Sequence, residues 1–285
     1  MLRIIVNGDD FGASPGVNLA IMMAFRSGVL NSASLIMNAS YAGEALRLAA
    51  EHPALKVGIH LNLTSQGQER SLASPRDIPL LTDGGGRFRY GFLDLLRLSL
   101  TNKRELQRQA EIEMRAQIDG ALAAGLSPAH LDSHRHVHMI PALFEVARKL
   151  KEAYRIERLR NVNEKLGATW RGSRPGWSLL NGGMVKFIVL KICSRFNHYE
   201  GEIYFYSILH STRLFGRSIS RIMLPPPYRA VEICFHPSLI EVDRSIGDPA
   251  FADYHLYSFD RQKEFEALLE APFLERFQFE NESGL

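Results

Sequence analysis

Two cysteines in 285 residues, Cys193 and Cys234, are too few for a disulfide framework. Their scarcity excludes the small disulfide-stapled scaffolds and fits a reducing cytoplasm. Neither sign of charge is in excess. With 34 Lys and Arg against 31 Asp and Glu, a net of +3, no partnership with nucleic acid is expected. Long apolar runs are missing as well: the longest, MVKFIVLKIC at 184–193, is broken by Lys186 and Lys191 and is too short for a bilayer span. The chain opens on the strand-like RIIVN of residues 3–7 with no basic and apolar leader before it, so no signal peptide is expected and the location is read as cytoplasmic. Repeats and low-complexity segments are absent. What remains is a 46% apolar chain, enough for a sizeable core, of a length that α/β barrels commonly fill as one unit. Nothing in it separates a monomer from an oligomer.

Strand-like and helix-like patterns alternate along the chain. RIIVN ends in Asn7, Gly8 and the adjacent carboxylates Asp9 and Asp10, and Pro15 then opens a helical pattern with Val17, Ala20, Ile21, Ala24 and Phe25 on one face, ending near Gly28. Strands are expected at 32–38, at 56–63, at 158–160, at 204–209 and at 231–237, with a short run before His130. Helices are expected at 42–51, 91–100, 104–124, 141–151, 179–196, 215–223 and 258–271. This order implies parallel βαβ units, a single domain over 1–285, and irregular insertions near 64–90 and 161–178.

The chemistry concentrates in HLDSHRHVH, residues 130–138, which holds four of the chain's 10 histidines. If this stretch is extended, the alternating His134, His136 and His138 share one side and could aim at one divalent ion. A histidine-rich surface loop would read much the same. Other polar residues recur at one structural place: Asp9 and Asp10 after the first strand, His60 and Asn62 near the end of the third, and His236 after the last. In an α/β barrel those carboxyl ends converge on one face. One carboxylate and two imidazoles would leave coordination positions open for water and substrate, the arrangement of a hydrolytic metal site. Two adjacent aspartates suggest one ligand and one base, and His236 is positioned to protonate a departing amine.

Four stretches, VNGDDFG at 6–12, GIHLNLT at 58–64, HLDSHRHVH at 130–138 and EICFHP at 232–237, resemble the motifs of the YdjC-like carbohydrate deacetylases in order and approximate spacing. The resemblance runs from residue 1 to about 240. It implies a distorted TIM-like (β/α) barrel that removes an N-acetyl group from an amino sugar with one divalent metal, zinc or magnesium. It makes Asp9 the base, Asp10, His60 and His134 the metal ligands, and His236 the general acid. The implied substrate is a chitooligosaccharide or, by resemblance to the hopanoid-associated branch, an N-acetylglucosaminyl lipid. Two positions depart from the family pattern: Gly8 replaces a common alanine, which is expected to relax the turn, and Ser238 replaces glycine or alanine.

Asp132 is expected to orient a ligand imidazole, while Asn62, His136 and His138 are left between substrate contact, support of the ligands and ordinary structure. The apolar helix at 179–196, preceded by Trp177, is read first as a barrel helix packing on the sheet. An outward apolar face would favour peripheral contact with a membrane instead. Two other functions stay open: a non-catalytic sugar-binding barrel that keeps the metal for structure, and hydrolysis of another amide or ester.

Overall fold

A computed structural model describes residues 3–64, 69–173, 176, 183–197, 203–216, 219, 225, 228, 230–247, 258–270 and 278–279. The elements run β1 (Arg3–Phe11), α1 (Pro15–Arg26), β2 (Ser32–Leu35), α2 (Ala42–Glu51), β3 (Lys56–Leu61), α3 (Phe92–Thr101), α4 (Lys103–Ala123), β4 (His130–Ser133), α5 (Pro141–Ala153), β5 (Arg158–Leu159), α6 (Leu166–Ser173), α7 (Gly183–Phe196), β6 (Ile203–Tyr206), β7 (Ala230–Phe235), α8 (Ile240–Ile246), α9 (Phe259–Leu269) and β8 (Gln278–Phe279). Seven strands form a parallel sheet in the order β5-β4-β3-β2-β1-β7-β6, and β8 pairs in parallel with the start of β1. With helices between the strands this is the distorted (β/α) barrel that the alternating pattern predicts.

Local chemistry sets the boundaries. Ser14 caps α1 by accepting a hydrogen bond from the Val17 amide at 3.1 Å, and Pro15 fills the first turn, where its missing N–H costs nothing. The apolar face of α1 then buries Val17, Ala20 and Ile21 against the sheet, in one core cluster with Phe265 and Leu268 of α9. A second cluster joins Met114 and Ile118 of α4, Leu143 and Phe144 of α5, and Phe187 and Leu190 of α7.

The expected barrel order is present, with shifted ends. β1 continues four residues past Asn7, whereas the strands expected at 32–38 and 56–63 stop at Leu35 and Leu61. The strand expected at 204–209 ends at Tyr206 and gives way to a 3-10 turn at Ile208–His210. Most of the helix expected at 215–223, the first residues of the one expected at 179–196, and Trp177 lie outside the described residues.

The first insertion is ordered over 69–90 because α4 carries a polar row at successive turns. Glu113 accepts the Leu72 and Ala73 amides at 3.0 and 2.8 Å, and Gln109 accepts the Leu80 amide at 2.7 Å. Gln117 binds both the amide and the carbonyl of Asn62. Among the described residues the sheet has no ladder between β5 and β6. There the Asn163 side chain bridges, donating to the Ile203 carbonyl at 2.9 Å and accepting from the Phe205 amide at 2.8 Å. Among the described residues no helix is long and apolar enough to cross a membrane.

Candidate metal centre and active site

The carboxyl ends of β1, β3, β4 and β7 bring Asp9, Asp10, His60, Asp132, His134 and His236 together. Alternation along an ideal strand would send Asp9 and Asp10 to opposite faces. The backbone prevents that: partners step from Gly8↔Ala33 to Phe11↔Leu35, so both aspartates oppose Ser34 alone, and Asp10 takes φ +70°. This bulge turns both carboxylates toward His60, whose Nε2 lies 3.8 Å from Asp9 Oδ2 and 3.6 Å from Asp10 Oδ1. Gly8 relaxes no turn, contrary to expectation. It lies inside β1, where an added Cβ would sit 2.9 Å from Ile21 Cγ1 and 3.0 Å from Leu30 Cδ1.

The histidine stretch is not extended either. After β4 the chain enters a tight turn in which Arg135 and His136 adopt φ +55° and +57°, so the alternating residues part. His134 turns inward, its Nδ1 2.9 Å from Asp10 Oδ1. His138 faces away: its Nδ1 meets Ser133 Oγ at 2.5 Å and its Nε2 meets the Arg160 carbonyl at 3.0 Å. His136 is buried edge-on against Phe205, with ring centroids 5.7 Å apart. Asn62 serves the end of β3, accepting at its side-chain oxygen from the Thr64 amide at 2.9 Å.

Among the described residues three donor sets bring their ligand atoms within 4.8 Å of one another: Asp10/His60/His134, Asp9/His60/Asp132 and Asp9/Cys234/His236. Existing partners distinguish them. Both oxygens of Asp9 accept from Arg160, each at 2.8 Å, and Asp9 Oδ1 also accepts from Asn7 Nδ2 at 2.7 Å. Asp132 binds His60 Nδ1 at 2.7 Å through one oxygen, and Arg160 and Ser34 through the other. Burial and the Asp9 carboxylate push the Cys234 thiol well up, which keeps it protonated. Asp10 has partners too, Arg261 at Oδ2 and His134 Nδ1 at Oδ1, but its Oδ1 faces both imidazoles, and one carboxylate with two imidazoles is a donor set that fits a divalent ion. Asp132 meets His60 Nδ1 at 2.7 Å, and the opposite ring nitrogen, Nε2, faces Asp9 and Asp10.

Electrostatics follow from these neighbours. Burial alone would raise the Asp9 carboxyl, but the charges of Arg160 and His60 outweigh it and hold Asp9 well below the ordinary carboxylate range. Asp10 is likewise lowered, against burial, by Arg261 and His134. Burial would depress the His60 imidazole, yet Asp132 and Asp9 carry it up to about 9. His134 is shifted down by burial, partly opposed by Asp10. His236 stands opposite, its Nε2 4.0 Å from Asp9 Oδ2 and its Nδ1 3.7 Å from Glu264. The loop behind it is pinned by Asp243, which accepts from Ser14 at 2.8 Å and from the Gly16 amide at 2.6 Å, with Ser238 buried 3.4 Å away.

The sequence profile of the YdjC-like protein family matches residues 3–278. The chain belongs to the YdjC-like family. Two similar curated proteins are both named "Carbohydrate deacetylase". The one from Brevibacillus brevis is 46% identical over 157 residues, which is 54% of this chain and 58% of that protein. The one from Geobacillus stearothermophilus is 44% identical over 153 residues, 53% of this chain and 57% of that protein. The chain thus spans little more than half the length of the curated relatives it matches. A solved structure from Enterococcus faecalis V583, provisionally assigned to cellobiose-phosphate cleavage, is 25% identical, with a TM-score of 0.65 over 99% of this chain and 98% of that one.

Three charged residues of this YdjC-like site escaped the sequence reading. Arg160 follows β5 and is buried among Asp9, Asp132 and Glu232. Arg261 of α9 binds Asp10 Oδ2, and Glu264, one turn on, accepts the His236 amide at 2.6 Å. For Arg160 a signal existed: RLR at 158–160 carries two cations and VEICF at 231–235 one acid in strands expected to be buried, where a charge requires a partner.

Proposed function

We propose that this chain is a metal-dependent hydrolase that removes the acetyl group from an N-acetylated amino sugar. The observation that carries the reading is the opposition of Asp9 and His236, Oδ2 to Nε2 4.0 Å, beside the Asp10/His60/His134 donor set. A structural metal site needs neither group. The name of the curated relatives and the family membership support the same class.

A divalent ion held by Asp10, His60 and His134 would acidify a water and polarise the scissile carbonyl. Two imidazoles and one carboxylate suit zinc, while magnesium prefers an all-oxygen set. Asp9, kept ionised and fixed in orientation by Arg160, would accept the proton of the attacking water. His236, held through Glu264, would return a proton to the departing nitrogen. With a metal bound in place of the His60 Nε2 proton, Asp132 would hold the Nδ1 proton and so direct Nε2 at the ion. Acetate release from N-acetylglucosamine oligomers, by protein stripped of metal and then reloaded, tests the proposal. Release only after reloading is expected. No acetate from folded, loaded protein across the oligomers and lipid-linked forms would sink it in favour of another scissile bond or simple sugar binding.

A further inference from the structure

A cavity of about 1250 Å³ opens at the amino ends of the strands, opposite the face that carries the donor sets. Its floor is made where the strands begin: Arg3, Lys56, His130, Arg158, Ile203 and Ala230 are the first residues of β1, β3, β4, β5, β6 and β7. Leu46 and Ala49 of α2, with Leu126 after α4, give it an apolar wall. Asp9, Asp10, His60, His134 and His236 are not among its lining residues, and it has room for a small organic molecule.

Charge and one buried atom say what it would hold. Four cations line the cavity, Arg3, Lys56, Arg155 and Arg158, against one acid, Glu157. Arg158 meets Glu232 behind the floor through Nη1, and a guanidinium has further N–H groups to give. Lys56 and Arg155 are exposed, and among the described residues neither meets a carboxylate. β3, β4 and β5 are neighbours in the sheet, so Lys56, His130 and Arg158 start side by side. His130 is wholly buried. Ser34 gives its one O–H to Asp132 at 2.7 Å, so the ring must donate in the 3.0 Å contact between His130 Nε2 and Ser34 Oγ. Nδ1 is then a bare acceptor beneath the floor, and among the described residues nothing donates to it. An unpaired buried acceptor is costly, and a hydroxyl on a molecule seated there would satisfy it.

We propose that this cavity is a second ligand site, remote from the metal centre, for a phosphate monoester of a small hydroxylated molecule. The dianion sits on Lys56, Arg155 and Arg158, the body rests on the apolar wall, and a hydroxyl meets His130 Nδ1. Two cations without a carboxylate match a doubly charged group better than a single carboxylate or a neutral sugar. Such a site stands whether or not the opposite face releases acetate.

Calorimetric titration of the full chain loaded with zinc, using inorganic phosphate, glycerol phosphate and adenosine monophosphate, tests the assignment. At least one of the two monoesters should bind about tenfold more tightly than inorganic phosphate, because only a monoester also reaches the wall and His130. Lys56→Gln with Arg155→Gln, both on the surface, should weaken that binding about tenfold or more, the scale of one charged hydrogen bond. Arg158 is kept, since its partner Glu232 also holds Arg160, which grips Asp9. In the parent protein the nitrogen resonance of His130 Nδ1 should move on binding. Failure of both monoesters to bind folded protein would overturn the proposal. So would affinity no better than that of inorganic phosphate, or a His130 resonance that stays in place. Binding unchanged in the paired variant, or lost when zinc is removed, would put the ligand at another site and overturn it equally.

Discussion

Replacing Arg160 by Met would remove one buried cation from among three buried carboxylates. In the metal-free protein Asp9, Asp132 and Glu232 are balanced by Arg160, by Arg158 at Glu232, and by His60, which is charged at neutral pH because its pKa is carried up to about 9. Without Arg160 one negative charge has no counterpart. Breaking a buried ion pair from one side costs roughly 3–5 kcal/mol. For a chain of this size each kcal/mol moves the melting temperature by roughly 2–4 °C, so a fall of at least about 6 °C is expected. Chemistry should shift too. Arg160 is the strongest influence lowering Asp9, so in the variant the Asp9 carboxyl rises and is protonated at a higher pH. As a base it must be ionised, hence the acid limb of the pH–rate profile of acetate release moves toward neutrality. Arg160→Lys should recover part of the stability and little of the orientation, because an ammonium cannot grip both Asp9 oxygens as the fork does. A melting temperature within about 2 °C of the parent's, together with an unmoved acid limb, would refute the reasoning.

Arg261→Met should leave Asp10 without its cation and destabilise the metal-free protein by roughly 3–5 kcal/mol. Since a bound divalent ion brings charge to the same carboxylate, melting with and without metal should show the loss shrinking when the protein is loaded; an equal loss in both states would contradict the ligand role of Asp10. His130 and His138, held near 4 chiefly by burial, favour the fold as neutral rings. Their contribution is complete above the unfolded value of about 6.5 and is lost as pH falls through 4, a change of roughly 3 kcal/mol each. Denaturant midpoints should therefore fall steadily between those pH values, and a flat stability across the window would oppose the assignment.

The barrel was legible because strand-like runs recur from Arg3 to Phe235 with helix-like stretches between them, despite the two insertions. The residues of the site were legible for a related reason, since each stands at the carboxyl end of a readable strand. Their directions were not. Gly8-Asp9-Asp10 reads as the end of a strand because Gly and Asp disfavour extended pairing, yet tertiary pairing, with β7 as far as Gly8 and with β2 at Phe11, carries β1 on. The two left-handed residues after His134 likewise leave no mark in the alternating histidines. Arg160 and Arg261 stand 151 and 251 residues from the aspartates they bind, beyond the reach of any local pattern. The exposure of Val185, Ile188, Ile192 and Phe196 on α7 was equally hidden, because periodicity marks an apolar face without saying which way it points.

The most direct measurement compares Asp9→Asn and Asp10→Asn for acetate release and bound metal in the same preparations. Asp9→Asn should retain the metal and lose turnover, whereas Asp10→Asn should lose both. Metal lost equally from the two variants, or turnover surviving in Asp9→Asn, would contradict the division between ligand and base on which the proposed deacetylase rests.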